Sequence, residues 1–405
     1  FVGVENGPFI VFRRRRFVTW LSDALMENRP YSAIVREMIA DRGIWTDHPA
    51  VNFVTVTRDE ETKRPDPDRL AARVSRAFLG VRIDCAQCHD HPFQPWKQAD
   101  FQGLAAFFGG VRSNLRGVSD ARNDYHPIDR KTKEAVDVAP AVPSHPELLP
   151  ADGPPRARLA GWVVDPRNPY FARTAVNRAW AVLFGRPLID PIDDLPAAES
   201  PKALELLAAD FVEHGHDLRR LFRAIASTEA YRLESIDLPE EAAAPNDETW
   251  AAFPMTRLRP EQVAGGMAQS ASISTLGPGS SWLSRLATYT EGNNFVRRYG
   301  DAGEDEFAPL GGTLPQRLLM MNGELVQKRT RGDFFNASRR IASLAPDDAA
   351  AVELAYLGVL TRRPSDEEAA HFTPRLKGTK GDPRIALIAD LFWTLLNSTE
   401  FSWNH

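Results

Sequence analysis

Tyr170-Phe171-Ala172-Arg173-Thr174-Ala175-Val176-Asn177-Arg178-Ala179-Trp180-Ala181-Val182-Leu183-Phe184-Gly185 is the stretch that decides the fold class. Ala172, Ala175, Val176, Ala179 and Leu183 recur at steps of three and four, which places them on one side of an amphipathic helix ending at Gly185. The same spacing recurs on both sides of it. Phe17, Trp20, Leu21 and Ala24 predict one helix, and Ile34, Val35, Met38 and Ile39 predict another that stops before Gly43. Leu70, Val74, Ala77 and Phe78 lead to Gly80, and Phe101, Leu104, Ala105 and Phe108 lead to Gly109-Gly110. Ser200-Pro201 opens a helix carrying Leu204, Leu207, Ala208 and Phe211, and Asp217 is placed to cap the next, with Leu218, Leu221, Phe222 and Ile225 on its face. Further helices are predicted near 314–328, 349–360 and 383–399. Strand signals are scarce, Val51–Thr57 being the best of them. The expected fold is mainly α: two helical domains joined by a loop-rich linker, with few or no strands.

Residues 113–155 lose periodicity and gain charge, proline and glycine, and read as the linker. This gives a first domain over 1–112 and a second helical domain over 156–405. Residues 234–250 are acidic and alanine-rich, and 277–313 hold many glycines and few apolar positions, which predicts an exposed segment and a long loop. The chain begins at Phe1 with no initiator methionine, so the first domain is expected to be the C-terminal part of a longer one.

With 405 residues, 43% hydrophobic and 25% charged, the composition is that of an ordinary globular protein. A net charge of −5 gives no electrostatic case for nucleic acid, and the Arg13–Arg16 run reads as a solvated helix edge. No apolar stretch is long enough to span a bilayer.

The chemistry concentrates in one pentapeptide. The chain has two cysteines, both in Cys85-Ala86-Gln87-Cys88-His89. This C-x-x-C-H spacing is the one at which two thiols attach to haem vinyl groups while the adjacent histidine ligates iron. Haem c is therefore the leading cofactor expectation, with Cys85, Cys88, His89 and His91 as its binding residues. Two other readings stay open: a disulfide or structural pair, and a non-haem metal such as zinc, for which these four donors are crowded. The sixth iron ligand is not fixed by spacing; His48, His126, His145, Met26 and Met38 are the candidates.

Other clusters are weaker. Asp190, Asp193 and Asp194 form an acidic group after a helix, suited to calcium or to acid–base work. Capping and salt bridges to arginines such as Arg178 or Arg186 are the favoured account. His214-Gly215-His216 resembles a metal pair but lies at a helix end, where histidine also suits the dipole. No nucleophile elbow, phosphate loop, dinucleotide fingerprint or H-E-x-x-H pattern occurs.

Two sets of residues resemble known families. Cys85-Ala86-Gln87-Cys88-His89-Asp90-His91-Pro92-Phe93 with Gly103-Leu104-Ala105-Ala106-Phe107-Phe108 resembles the end of the planctomycete-type domain of unknown function 1549. Asn168–Arg173, Val176–Trp180, Phe184-Gly185-Arg186, Asp190–Leu195, Leu314-Pro315-Gln316, Asn322-Gly323 and Leu396–Phe401 resemble its usual partner, domain of unknown function 1553. The resemblance implies an exported protein, periplasmic or otherwise extracytoplasmic, accompanied by a cytochrome c domain upstream or by another redox partner. It supplies no activity. Similar chains carry cysteines in a loop that here reads Tyr-Gly-Asp-Ala-Gly-Glu-Asp-Glu over Tyr299–Glu306. The functional expectation is a c-type-haem-associated protein in electron transfer or another redox reaction. The alternatives are a non-redox interaction or scaffold module with the cysteines as a clip, and a hydrolase of extracellular polymers using the acidic cluster.

Overall fold

The computed structural model describes residues 10–59, 62, 64–91, 94–128, 132–195, 200–235, 250–272, 282–300, 313–333 and 336–404, and only the backbone of 10–15 and 282–290. The chain is mainly α-helical, as the periodicity requires. Packing divides it at Thr228/Glu229 into two compact units. This is not the division suggested by the linker at 113–155.

The first unit carries α1 (Ile10–Met26), α2 (Tyr31–Ala40), α3 (Asn52–Thr55), α4 (Pro67–Val74), α5 (Gln98–Ala106), β1 (Val111–Asn114), β2 (Gly117–Asp120), α6 (Pro155–Val163), α7 (Pro169–Phe184), α8 (Lys202–Glu213) and α9 (Leu218–Ala226). Residues 155–228 belong to it because their apolar faces are spent there. Helix α2 turns Ile34, Val35, Met38 and Ile39 inward and packs on α6, which contributes Leu159, Ala160 and Val163. Helix α7 packs on α8, α9 and the turn that follows α4. Its start is set by Asn168, whose side chain accepts from the Tyr170 amide at 3.2 Å, with Pro169 in the first turn. Gly185 ends it in the left-handed region at φ 74°. Asp217 caps α9 as expected, accepting from the Arg220 amide at 2.9 Å.

The expected linker begins with a hairpin, and the described residues from 121 to 145 have no regular helix or strand. β1 and β2 form an antiparallel hairpin, Val111 opposite Asp120 and Asn114 opposite Gly117. Val118 exchanges both backbone hydrogen bonds with Gly43, at 2.9 and 2.8 Å, which fixes the hairpin to the end of α2. The hairpin also supplies Asp120 to Arg156, a fully buried guanidinium that donates to Asp120 at 2.6 and 3.2 Å and to the carbonyls of Ile39 and Asp41. Charge and short side chains hide such a segment from a periodicity reading, because polar partners hold it instead of an apolar stripe. The strand expected over Val51–Thr57 is helical over Pro49–Thr55. Residues 50–55 are buried on every side, and a short apolar run buried all round has no period by which strand and helix differ.

The second unit contains β3 (Thr256–Arg257), α10 (Pro260–Ala271), α11 (Trp282–Tyr299), α12 (Leu314–Asn322), α13 (Glu324–Thr330), α14 (Ala337–Leu344), α15 (Asp348–Leu360), α16 (Asp366–Leu376), α17 (Gly381–Leu396), α18 (Thr399–Ser402) and β4 (Trp403–Asn404). Its core gathers Val263 and Met267 of α10, Val326 of α13, Val352 and Tyr356 of α15, and Ile388, Phe392 and Leu396 of α17. Gly323 breaks the single helix expected near 314–328 into α12 and α13. The long loop expected over 277–313 contains α11; residues 273–281 and 301–312 lie outside the described residues, as do most of the acidic segment at 234–250 and Asp301–Glu306. The chain end is tied down by Arg362, which grips Glu368 at 2.8 and 2.9 Å and Glu400 at 2.5 and 2.7 Å. That grip, with the Ser365 amide, holds the Glu368 carboxyl down at about 2.

His216 gives the first unit a pH dependence. It is 5% exposed, lies edge-on to Phe171 and Phe211, and its Nε2 has no hydrogen-bond partner among the described residues. Burial lowers its pKa below the ordinary 6.5, so the unfolded chain takes up the proton first as pH falls. Its contribution is complete above about pH 6.5 and is lost below it, at up to about 1.4 kcal/mol per pH unit. Thermal denaturation at pH 7.5 and 5.5 is expected to show a drop in Tm that His216→Gln reduces; an unchanged drop would assign the acid sensitivity elsewhere.

Candidate functional site

The cysteine pentapeptide is held between α4 and α5. Helix α4 begins at Pro67, with Asp66 accepting from the amides of Asp68 and Arg69, and after Val74 it widens into a π-helical turn, Ser75–Leu79. Ser75 Oγ donates back to the carbonyls of Ala71 and Ala72 at 2.9 and 3.0 Å where the turn opens. Gly80 then reverses the chain at φ 61°. A Cβ there would lie 2.8 Å from Thr174 Oγ1 and 2.9 Å from Leu195 Cδ1, so only glycine permits this approach to α7. A 3₁₀ turn follows over Ile83–Gln87, with Ile83 and Ala86 buried and Cys85 exposed.

Cys85 and Cys88 are both exposed free thiols. Cys85 lies within the 3₁₀ turn and Cys88 is the residue that ends it, at φ −105° and ψ −29°. His89 is exposed and its Nδ1 lies 2.7 Å from the Asp90 carbonyl. Nδ1 must carry the proton to donate there, which leaves the lone pair on Nε2. This is the arrangement in which a histidine presents Nε2 to a metal while a backbone carbonyl fixes its tautomer. His91 serves the backbone: its amide donates to the Trp96 carbonyl at 2.8 Å, and its Nδ1 accepts from the Gln94 amide at 2.9 Å. Pro92 and Phe93 lie outside the described residues.

Two glutamines strap the turn down. Gln98, at the start of α5, donates from Nε2 to the carbonyls of Gln87 at 3.2 Å and Cys88 at 3.4 Å, while its amide donates to Asp90 at 3.0 Å. Gln87 itself donates to Asp68 Oδ2 at 3.1 Å, and Tyr125 donates to Asp68 Oδ1 at 2.6 Å. Burial raises the Asp68 pKa, opposed by the Tyr125 hydrogen bond; the Tyr125 phenol is raised too, first by burial and then by that same bond. Sequence reading missed Asp68, Tyr125 and Gln98. Only Gln87, inside the motif, carried a signal.

The acidic cluster is an ion-pair anchor. Asp193 accepts from Arg82 Nε at 2.8 Å and lies 3.5 Å from Arg76, which makes a two-pronged bond to Asp84 at 3.1 and 2.5 Å. Arg76 and Arg82 are raised above the ordinary guanidinium value, the first by Asp84 and the second by Asp193. Salt bridging was the favoured expectation, and these partners are arginines from the stretch just before the motif. Asn177 positions the loop that carries Asp193, exchanging hydrogen bonds with the Ile189 backbone at 2.8 and 3.0 Å. Asp190 is exposed and Asp194 half-buried. Among the described residues no three His, Cys, Asp or Glu side chains are disposed to hold a metal ion, so neither Cys85, Cys88, His89 and His91 nor Asp190, Asp193 and Asp194 make such a group.

The remaining candidates fall elsewhere. His48 bonds Asp41 at 3.1 Å, His126 lies 2.7 Å from Asp137, and His145 lies 3.3 Å from Glu147. Met38 is buried in the face that α2 turns to α6, and Met26 ends α1 with its carbonyl accepting from Arg219. His214 bonds the Asp210 carbonyl at 2.9 Å while His216 is buried among aromatic rings, so this pair divides between two environments. Arg16 is exposed.

Residues 10–113 match the family model described as "Protein of unknown function (DUF1549)", and residues 155–298 match "Protein of unknown function (DUF1553)". The two matches follow one another in this order along the chain. It is also similar to the light-independent protochlorophyllide reductase subunit N of Roseiflexus castenholzii, 32% identical over 177 residues, which is 41% of this chain and 40% of that protein. The chain thus spans less than half of that relative. No solved structure matches it. Among the described residues no helix is long and apolar enough to cross a membrane.

Two outcomes follow from this geometry. Both thiols are expected to react with Ellman's reagent in the native protein, two per chain; a count that rises only in denaturant would contradict their exposure. Asp193→Asn is expected to lower stability in urea by about 1–2 kcal/mol, since it leaves Arg82 without its carboxylate while partial exposure limits the loss.

Proposed function

We propose that the chain is an exported protein that carries haem c at Cys85 and Cys88, with His89 Nε2 as an iron ligand, and that it serves electron transfer or another redox reaction. The observation that carries this reading is the combination on one exposed turn of two free thiols three residues apart and a histidine whose Nδ1 is committed to the Asp90 carbonyl. Each thioether would form by adding S–H across a vinyl C=C, sulfur to one carbon and hydrogen to the other, with no net oxidation. The bound group would supply a one-electron couple. What the protein supplies is placement: Gln98 and Gln87 hold the turn, and Asp90 fixes the imidazole tautomer. Location outside the cytoplasmic membrane follows from the attachment chemistry, and a cytochrome c domain or separate redox protein is the partner it implies.

A second reading has an observation of its own. Free exposed thiols at this spacing also suit a structural disulfide or metal clip, which would make the module a non-redox interaction or scaffold unit beside a cytochrome domain. The hydrolase reading is less well supported, because Asp193 is committed to Arg82 and Arg76.

The test is expression with an export signal in a host that matures c-type cytochromes, followed by a pyridine haemochrome spectrum. A covalent haem signal that disappears in Cys85→Ala/Cys88→Ala is expected. A colourless folded protein would overturn the reading, and metal analysis with thiol counting would then decide between a disulfide and a metal clip.

A further inference from the structure

The polar chain behind the cysteine turn has the form of a positioning device. Gln87 is the last residue of the 3₁₀ turn and stands between the two cysteines in sequence, yet its amide is directed to Asp68, nineteen residues earlier. Asp68 lies in the first turn of α4, one residue after Pro67. Its other oxygen receives the Tyr125 hydroxyl, from a residue 8% exposed. Tyr125 is in turn fixed through Asn123, whose Oδ1 accepts from the Tyr125 amide at 3.2 Å and whose Nδ2 donates to the Val138 carbonyl at 2.9 Å. The strap therefore runs from the irregular part of residues 113–155 to the middle of the motif.

A carboxylate suits this place for a specific reason. Tyr125 and Gln87 both donate, so the group between them needs two acceptor oxygens, which a carboxylate has and an amide does not. Stability alone would not favour it, since burial disfavours the ionised form of Asp68. With one oxygen committed to Tyr125 and the other to Gln87, the carboxylate is exacting about where Gln87 is held.

We propose that Asp68, backed by Tyr125, is the positioning residue of the C-x-x-C-H turn, acting through Gln87 to hold the backbone between Cys85 and Cys88 so that the two thiols can react at two points with one ligand. The ligand's identity as haem rests on the preceding reading; the relative placement of the thiols does not. Asp68 is not assigned a chemical step. It acts by reducing the freedom of the residue between the nucleophiles, the usual route by which preorganisation raises an effective concentration.

The experiment uses the full chain, reduced and free of haem, equilibrated in glutathione buffers, with the Cys85–Cys88 disulfide fraction read by alkylation and mass spectrometry. Each disulfide formed converts one glutathione disulfide to two thiols, so the fraction gives the effective concentration of one cysteine at the other. Asp68→Ala and Gln87→Leu are each expected to lower it about tenfold, the effect of losing one hydrogen bond to a charged group. The double variant should lose no more than either single one, because both break the same link. Tyr125→Phe should shift it less, in the same direction. Phe211→Leu, a core change in α8, should lower Tm and leave the effective concentration unchanged. Gln87 is exposed, so Gln87→Leu reports even if Asp68→Ala fails to fold. Additive losses in the double variant, or singles that change only Tm, would overturn the proposal. A haemochrome spectrum of the unsubstituted protein is read separately: no haem with linked thiol shifts defeats the haem reading alone, and haem without those shifts defeats the positioning role alone.

Discussion

Asp193 between Arg82 and Arg76 is the contact on which the site's surroundings depend. It joins the loop after α7 to the two arginines that flank the reversal at Gly80. Around it the Leu195 amide donates to the Gly80 carbonyl at 2.7 Å, and an Arg178 guanidinium nitrogen reaches the Arg76 carbonyl at 3.3 Å. Two segments more than a hundred residues apart are thereby held in register, one by charge and one by the absence of a Cβ. The partial exposure of these side chains limits the energy of the ion pairs, and their value lies in fixing where the chain turns toward the cysteines.

The family boundaries and the packing boundaries do not coincide. The two family matches meet across residues 114–154, whereas the compact units part at Thr228/Glu229. Helices α6 to α9 fall within the second family match and, by burial, within the first unit. The cause is visible in particular side chains: Arg156 of α6 is enclosed by Asp120 of the hairpin and the carbonyls ending α2, and Thr174 and Leu195 close on Gly80. A segment whose buried groups find their partners in another region folds with that region.

This arrangement bears on how the proposed site would work. The cysteine turn is exposed, and of its supports Asp68 and Gln98 are half-buried and Tyr125 buried. Asp68, Tyr125 and Gln98 constrain its backbone and its middle side chain, leaving the thiols and His89 Nε2 outward. Such a division, with reactive atoms at the surface and their geometry fixed from beneath, suits attachment of a large planar ligand better than enclosure of a small one. It also suits a structural thiol pair, which is why the haem and disulfide readings share the same framework.

Much of this was legible in the residues. Period-3.6 spacing identified the helices containing Ile34–Ile39, Tyr170–Phe184 and Leu218–Ile225, because an apolar face must be buried whatever it meets. The C-x-x-C-H spacing and the family resemblance identified the motif, since local chemistry needs only local order. The hairpin at Val111–Asp120, the helical form of Pro49–Thr55 and α11 were not legible, for they depend on polar partners, on burial from all sides, or on neighbours far along the chain. The partners of Asp193 and the link from Gln87 through Asp68 to Tyr125 were hidden for the same reason. The sequence by itself determined which faces are apolar and where two thiols and a histidine stand together; the tertiary structure alone decided which distant carboxylates, amides and guanidinium groups hold them there, because a hydrogen bond across 57 residues leaves no period to read.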